Sequence, residues 1–418
     1  MAVTGDRYPT TSEVASAASA LTESHPGLCG LRTVGRSREG RPLLLLSVGH
    51  GRRNVLVVAG AHANEAGVGG ATVLRLADRV AHDRRLREAA DAAWHFLLCV
   101  DPDGAHRNET ELVLSPTVGD HFRHLFRPHS SEQPEWLVLD DPLREVLPET
   151  RCLVGLIDEL RPVLQCSLHG IDVGGVHLLL TDDLPGLSGR LGKSAAELDI
   201  PLELGSADAF YWADSGPGVY LMPPPGEPEG WDAVPSDAEH STWAYARRYG
   251  GVTAIIEAPM WGCERSADIS PAPDADRALR AAGAALRRDT SRVARELEAA
   301  RPFLPGDGGP LLRAVEETIA VGPRLAEDWD PAVRSSDAAP LPPMTTARLT
   351  SVQVYAQRLP LRAAAMLRRL RPTPELDGLV ADWSAAFEAA FDVRWIPVAD
   401  QSEQQARTAI AAFESLRT

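Results

Sequence analysis

The stretch Val55-Leu56-Val57-Val58-Ala59-Gly60-Ala61-His62-Ala63-Asn64-Glu65 decides the fold. Its first five residues form an unbroken apolar run, the pattern of a strand covered on both faces, as parallel sheets require. Gly60-Ala61 breaks the run, and His62 and Glu65 follow, three residues apart. That spacing returns to the same side of a helical turn, so an imidazole nitrogen and a carboxylate oxygen can meet on one cation. Taken alone, the same residues also read as a strand-end histidine and an acid favoured by a helix N-terminus.

Outward from this stretch, Pro42 to Val48, Asn54 to Ala61, Ala92 to Val100, Val163 to Leu168, His177 to Thr181 and Val252 to Glu257 read as strands. Ser12 to Glu23, Ala66 to Ala81, Val154 to Leu160 and Leu187 to Leu198 have helical spacing, and Asp101-Pro102-Asp103-Gly104 reads as a turn. Strands alternating with helices predict an α/β fold with a mixed, largely parallel sheet flanked by helices. In such sheets the ligand site lies beyond the carboxyl ends of the strands. His62, His169 and Glu257 each fall at, or just past, the end of an apolar run. A carboxylate such as Glu257 on an apolar strand calls for a partner, because a buried unpaired charge is costly.

Near Asp274 the character changes to Ala/Leu/Arg-rich helical segments, Arg277 to Ala300, Pro310 to Ala326, Thr346 to Arg371 and Leu376 to Phe391. The expected division is therefore residues 1–274 as a catalytic domain and 275–418 as a helical C-terminal region.

A net charge of −16 argues against nucleic acid or an anionic membrane as partner. No apolar run approaches the roughly 20 residues that span a bilayer. The polar N-terminus lacks the basic-then-apolar pattern of a secretory signal. Five cysteines, Cys29, Cys99, Cys152, Cys166 and Cys263, form no Cys-x-x-Cys spacing, which fits a reducing compartment. A cytoplasmic protein is expected.

Five motifs occur in order: Gly35-Arg36-Ser37-Arg38-Glu39-Gly40-Arg41-Pro42, His62-Ala63-Asn64-Glu65, Asp101-Pro102-Asp103-Gly104, Ser167-Leu168-His169-Gly170 and Thr253-Ala254-Ile255-Ile256-Glu257. Together they resemble the zinc carboxypeptidase (funnelin) family, over roughly residues 8–265. The resemblance implies a Zn²⁺ held by His62, Glu65 and His169, with Glu257 as general base. Such a set leaves the metal net positive, with an open position for water. His106, His121, His124, His129, His177 and His240 lack ligand spacing and read as surface or satisfied core residues.

The chain also departs from the family. The adjacent Asn-Arg pair that grips a substrate's terminal carboxylate does not occur between Gly104 and His169. Cations available there are Arg107, Arg123, Arg127, Arg144 and Arg151. By offset from the Asp101–Gly104 motif, Arg123 or Arg127 would stabilise the oxyanion, though both also fit a solvated basic face. Tyr220 is the expected counterpart of the family's mobile tyrosine, with Tyr245 second. The reading is a zinc-dependent hydrolase acting on a peptide or small amide. A deacylase of N-acyl amino acids is the near alternative, and a metal-free binding protein on the same fold is the alternative of another class.

Overall fold

The structure is a computed structural model that describes residues 7–109, 116–137, 146–224, 231, 238, 241–304, 309–334 and 339–416. Its strands are β1 (Cys29–Arg36), β2 (Pro42–Val48), β3 (Arg53–Ala59), β4 (Ala92–Leu97), β5 (Leu164–Gly174), β6 (His177–Leu180), β7 (Ala213–Asp214), β8 (Val219–Leu221), β9 (Val252–Gly262) and β10 (Arg394–Trp395). The helices of the first part are α1 (Thr11–Ser24), α2 (Ala66–His82), α3 (Arg84–Arg87), α4 (Pro102–Asn108), α5 (Val118–His124), α6 (Pro148–Leu160), α7 (Leu187–Glu197) and α8 (Thr242–Tyr245). Those that follow are α9 (Ala275–Ala300), α10 (Gly309–Asp328), α11 (Thr346–Leu370), α12 (Pro374–Phe391) and α13 (Val398–Ser415).

All the described strands join one mixed sheet in the order β1-β2-β4-β3-β5-β9-β6-β8-β7, with β10 against β9. The central four, β4, β3, β5 and β9, run parallel. β2 and β6 flank them antiparallel. The apolar run of β3 divides between two cores, as a period of two requires. Val55, Val57 and Ala59 pack with residues of α2 and α13, whereas Leu56 and Val58 pack with Leu153, Leu156, Ile157 and Leu160 of α6. Both faces are thus covered, which is why the strands are continuously apolar.

Three local expectations change. The Asp101–Gly104 turn is the start of α4: Asp101 caps it by accepting from the Gly104 N–H at 2.9 Å, and Pro102 fills the first turn. This is the position where a missing N–H costs nothing. β5 and β9 run on to Gly174 and Gly262, well past His169 and Glu257. The two candidate residues therefore lie within strands rather than beyond them.

Helices α9 to α12 pack on one another and on Val173, Met260 and Trp261 at the far ends of β5 and β9. The chain then returns to the sheet, first as β10 and then as α13, whose Phe413 is fully buried against Trp94, ring centres 5.1 Å apart. Phe413→Ala is expected to destabilise the protein by about 3–5 kcal/mol, the usual cost of deleting a buried aromatic. A chemical denaturation curve reads this, and a loss under about 1 kcal/mol would make α13 peripheral to the core. No helix among the described residues is long and apolar enough to cross a membrane.

Candidate metal centre

β3 delivers the first two residues of the site. Gly60, at φ +67°, turns the chain off the strand, and a Cβ there would meet the Cys99 sulfur at 2.6 Å. His62 then opens a single turn, Ala63–Glu65, closed by Glu65 N–H donating to the His62 carbonyl at 3.0 Å. The turn brings Glu65 Oε2 to 2.9 Å from His62 Nδ1.

His169 and Glu257 arrive from the neighbouring strands. The last residues paired between β3 and β5 are Ala59 and Leu168, and β5 continues alongside β9 with His169 opposite Glu257. Both side chains stand immediately beyond the end of β3. His169 Nδ1 lies 3.1 Å from His62 Nδ1, 3.4 Å from Glu65 Oε2 and 3.8 Å from Glu257 Oε1. His62, Glu65 and His169 thus present two ring nitrogens and a carboxylate oxygen that all lie within 4.8 Å of one another. Tetrahedral bonds of about 2.0–2.1 Å would place zinc ligands roughly 3.3 Å apart, so this donor set fits zinc.

The imidazole of His169 is fixed from behind. Its Nε2 lies 2.9 Å from Glu135 Oε2, and the Glu135 carboxylate also accepts from Ser167 Oγ at 2.5 Å and Trp243 Nε1 at 2.8 Å. A carboxylate behind an imidazole sets the tautomer and raises ligand basicity. The backbone is held too: Gln405 of α13 donates to the carbonyls of His169 and Ile256 at 2.5 and 3.0 Å and accepts from Thr72 Oγ1 at 2.6 Å. Glu135→Gln is expected to weaken zinc binding roughly 10- to 100-fold. Competition with a chelator of known affinity measures this, and an unchanged affinity would mean that Glu135 does not tune the ligand.

Burial, seconded by Arg127, lowers the His62 imidazole to about 4, so it is neutral as a ligand must be. Burial opposes a charge on His169, yet Glu135, Glu65 and Glu257 hold its proton affinity well above the usual histidine range. Burial would also neutralise Glu65, but His62 and Arg127 keep it well below the ordinary carboxylate value. Glu257 is pushed up to about 8 by burial and by Glu65, with His169 opposing.

These residues line a cleft of about 330 Å³ whose walls include Leu179, Trp212, Trp231 and Trp243. Apolar walls with a few polar groups are the usual build of a small-molecule site. Arg127 stands in the cleft and donates to Glu65 Oε1 at 2.6 Å and Asn64 Oδ1 at 3.2 Å. Arg123 and Tyr220 do not reach it. Arg123 is half exposed on α5 and bonds Asp120 at 3.2 Å. Tyr220 is buried in the β8 core, its hydroxyl donating to the Glu203 carbonyl at 2.9 Å. Tyr245 bonds Asp158 at 3.3 Å, and Arg107 bonds the Asp103 carbonyl at 2.9 Å. Arg151 is exposed on α6, and Arg144 lies outside the described residues. Glu135, Trp243, Tyr355, Arg358 and Arg362 belong to the site and were not anticipated by the sequence reading. The last three come from α11 in the helical region.

Residues 14–173 match the family model of the zinc carboxypeptidases. The resemblance carried by the motifs is therefore shown over that stretch, which holds His62, Glu65 and His169 but not Glu257. Zinc is the metal of that family, and the His62–Glu65–His169 cluster is able to hold it. No curated protein matches the sequence. Among solved structures, the chain is similar to a metallo-carboxypeptidase from Burkholderia cenocepacia, with 19% identity over 63% of this chain and 62% of that one, TM-score 0.38. It thus spans less than two thirds of that relative's length. It is also similar to carboxypeptidase A from Helicoverpa armigera (14% identity, 61% of this chain and 65% of that one, TM-score 0.39) and to murein-tripeptide amidase MpaA from Escherichia coli O157 (17% identity, 55% and 83%, TM-score 0.29).

Proposed function

We propose that this protein is a zinc-dependent hydrolase of an amide or peptide bond, with His62, Glu65 and His169 as the zinc ligands and Glu257 as the general base. The observation that carries the reading is the meeting of those four side chains in one cleft just beyond the end of β3. A zinc ion held there would supply Lewis acidity, polarising the amide carbonyl and making water acidic near neutral pH.

The chain's own residues do the rest. Among the described residues Glu257 Oε2 is buried without a hydrogen-bond partner. Burial favours its neutral form, and the positive charge of a zinc ion beside it would favour the carboxylate, which can take a proton from water and return it to the leaving nitrogen. Glu135 holds His169 in one tautomer through Nε2, leaving Nδ1 for the metal. Arg127 is the cation placed to meet charge developing on the carbonyl oxygen once it exchanges its bond to Glu65. The aromatic and aliphatic walls exclude water and take an apolar part of the substrate.

Both cleavage of a C-terminal residue and removal of an acyl group from an amino acid fit this machinery. A screen of free-C-terminus peptides against N-acyl amino acids, with zinc analysis of the same preparation, tests it. Turnover of either class by zinc-containing protein supports the reading, and zinc-loaded protein inert toward both would refute it.

A further inference from the structure

Among the described residues the cleft holds one cation with no direct ionic partner. Arg358 on α11 is only 6% exposed, and its Nε is buried with no hydrogen-bond partner. Among the described residues no carboxylate pairs with it. Its guanidinium lies over the Tyr355 ring, 4.4 Å from the ring centre. The other two arginines of the cleft are satisfied: Arg127 by Glu65 and Asn64, and Arg362 by two bonds to Asp172 Oδ2 at 3.1 and 2.6 Å.

None of the nearby acids makes a direct ion pair with it among the described residues. Asp172 is shared between Arg362 and His121, and Glu65 faces His62 and Arg127; Asp208, whose carboxylate accepts the Tyr355 hydroxyl at 2.7 Å, attracts Arg358 only across space, without a direct ion pair. Arg358 also borders a second, small cavity with Glu203, but burial raises that carboxyl to about 8, so it supplies no counter-charge at neutral pH. A buried charge without a partner is strongly disfavoured, and an aromatic face returns only part of that cost. The arrangement makes sense when an anion completes it.

The stripe Tyr355, Arg358, Leu359, Arg362 and Met366 on one face of α11 lines the same cleft as His62, Glu65, His169 and Glu257. One guanidinium without a direct ionic partner, with several acids around it, suits a monoanion rather than a dianionic phosphate. A guanidinium fork matches a carboxylate in geometry. We propose that Arg358 is the specificity residue of the cleft and binds a carboxylate of the substrate, so that the helical region outside the family match selects carboxylate-bearing amides with an apolar flank. This rests on the hydrolase reading for the identity of the substrate as an amide.

The test uses the full-length zinc-loaded protein carrying Glu257→Gln, so that bound amides persist. Calorimetry compares a panel of N-acetyl amino acids with apolar side chains against their primary amides. The free acids are expected to bind roughly 10- to 150-fold more tightly. Arg358→Gln added to this protein should abolish the preference with zinc content unchanged. Arg358→Lys, which keeps the charge but loses the fork, should retain part of it and serves if the Gln variant does not fold. With Glu257 restored, the loss should appear in KM for free acids and leave KM for amides in place. No acid preference, or a preference untouched by either variant, overturns the proposal and assigns Arg358 a structural role on Tyr355. Absence of hydrolysis with an intact, Arg358-dependent acid preference would instead overturn the hydrolase reading alone.

Discussion

Glu257→Gln is expected to lower kcat by roughly 10²–10⁴ while the zinc content stays unchanged. The substitution keeps the size of the side chain and removes its ability to take a proton. Glu257 is nine-tenths buried on β9, with Oε1 3.8 Å from His169 Nδ1 and Oε2 without a partner. Nothing in the fold needs that second oxygen. The amide should therefore be tolerated structurally and cost only the proton transfer. Steady-state kinetics with elemental analysis of the same sample measure both quantities. Near-normal turnover in the variant would remove Glu257 from the reaction.

His169→Ala is expected to lose most of the zinc, and turnover with it. The imidazole is the member of the cluster with the most partners: His62 and Glu65 on one side, Glu135 on the other, Glu257 in register across β9. Its removal leaves two protein donors, fewer than the three that hold zinc in sites of this kind. It also leaves Glu135 buried with only Ser167 and Trp243 as donors, so some loss of stability should accompany the loss of metal. Elemental analysis of the purified variant reads the outcome, and a full equivalent of zinc would exclude His169 as a ligand.

The sheet and the His62–Glu65–His169 cluster were legible in the sequence because both rest on strong local signals. Val55 to Ala59 is buried on both faces and reads as a strand from composition alone, and the His62–Glu65 spacing survives as a single turn. The lengths of β5 and β9 were not legible. Past Leu168 and Glu257 their residues include Gly170, Asp172, Gly174 and Pro259, which interrupt the apolar run although the strands go on. α13 falls in the expected helical region but was not singled out as a helix, because its buried face mixes Gln401, Gln404 and Gln405, which bond to the interior, with small residues such as Ala406, Ala409 and Ala412. Glu135 sits between Pro134 and Trp136, outside any regular element, so no periodicity marked it. Arg358 and Tyr355 lie in an Arg-rich helix whose sequence matches a solvated surface, and only packing against the cleft distinguishes them. Tyr220 and Arg123 were chosen by order and offset along the chain, and neither fixes which way a side chain faces.

The central claim is that zinc on His62, Glu65 and His169 drives amide hydrolysis. It is tested most directly by measuring turnover of the best substrate before chelation, after chelation and after returning zinc. The account predicts that activity disappears as the metal leaves and is restored by about one equivalent of Zn²⁺ per chain. Metal-free protein that hydrolyses the substrate at the original rate would contradict it.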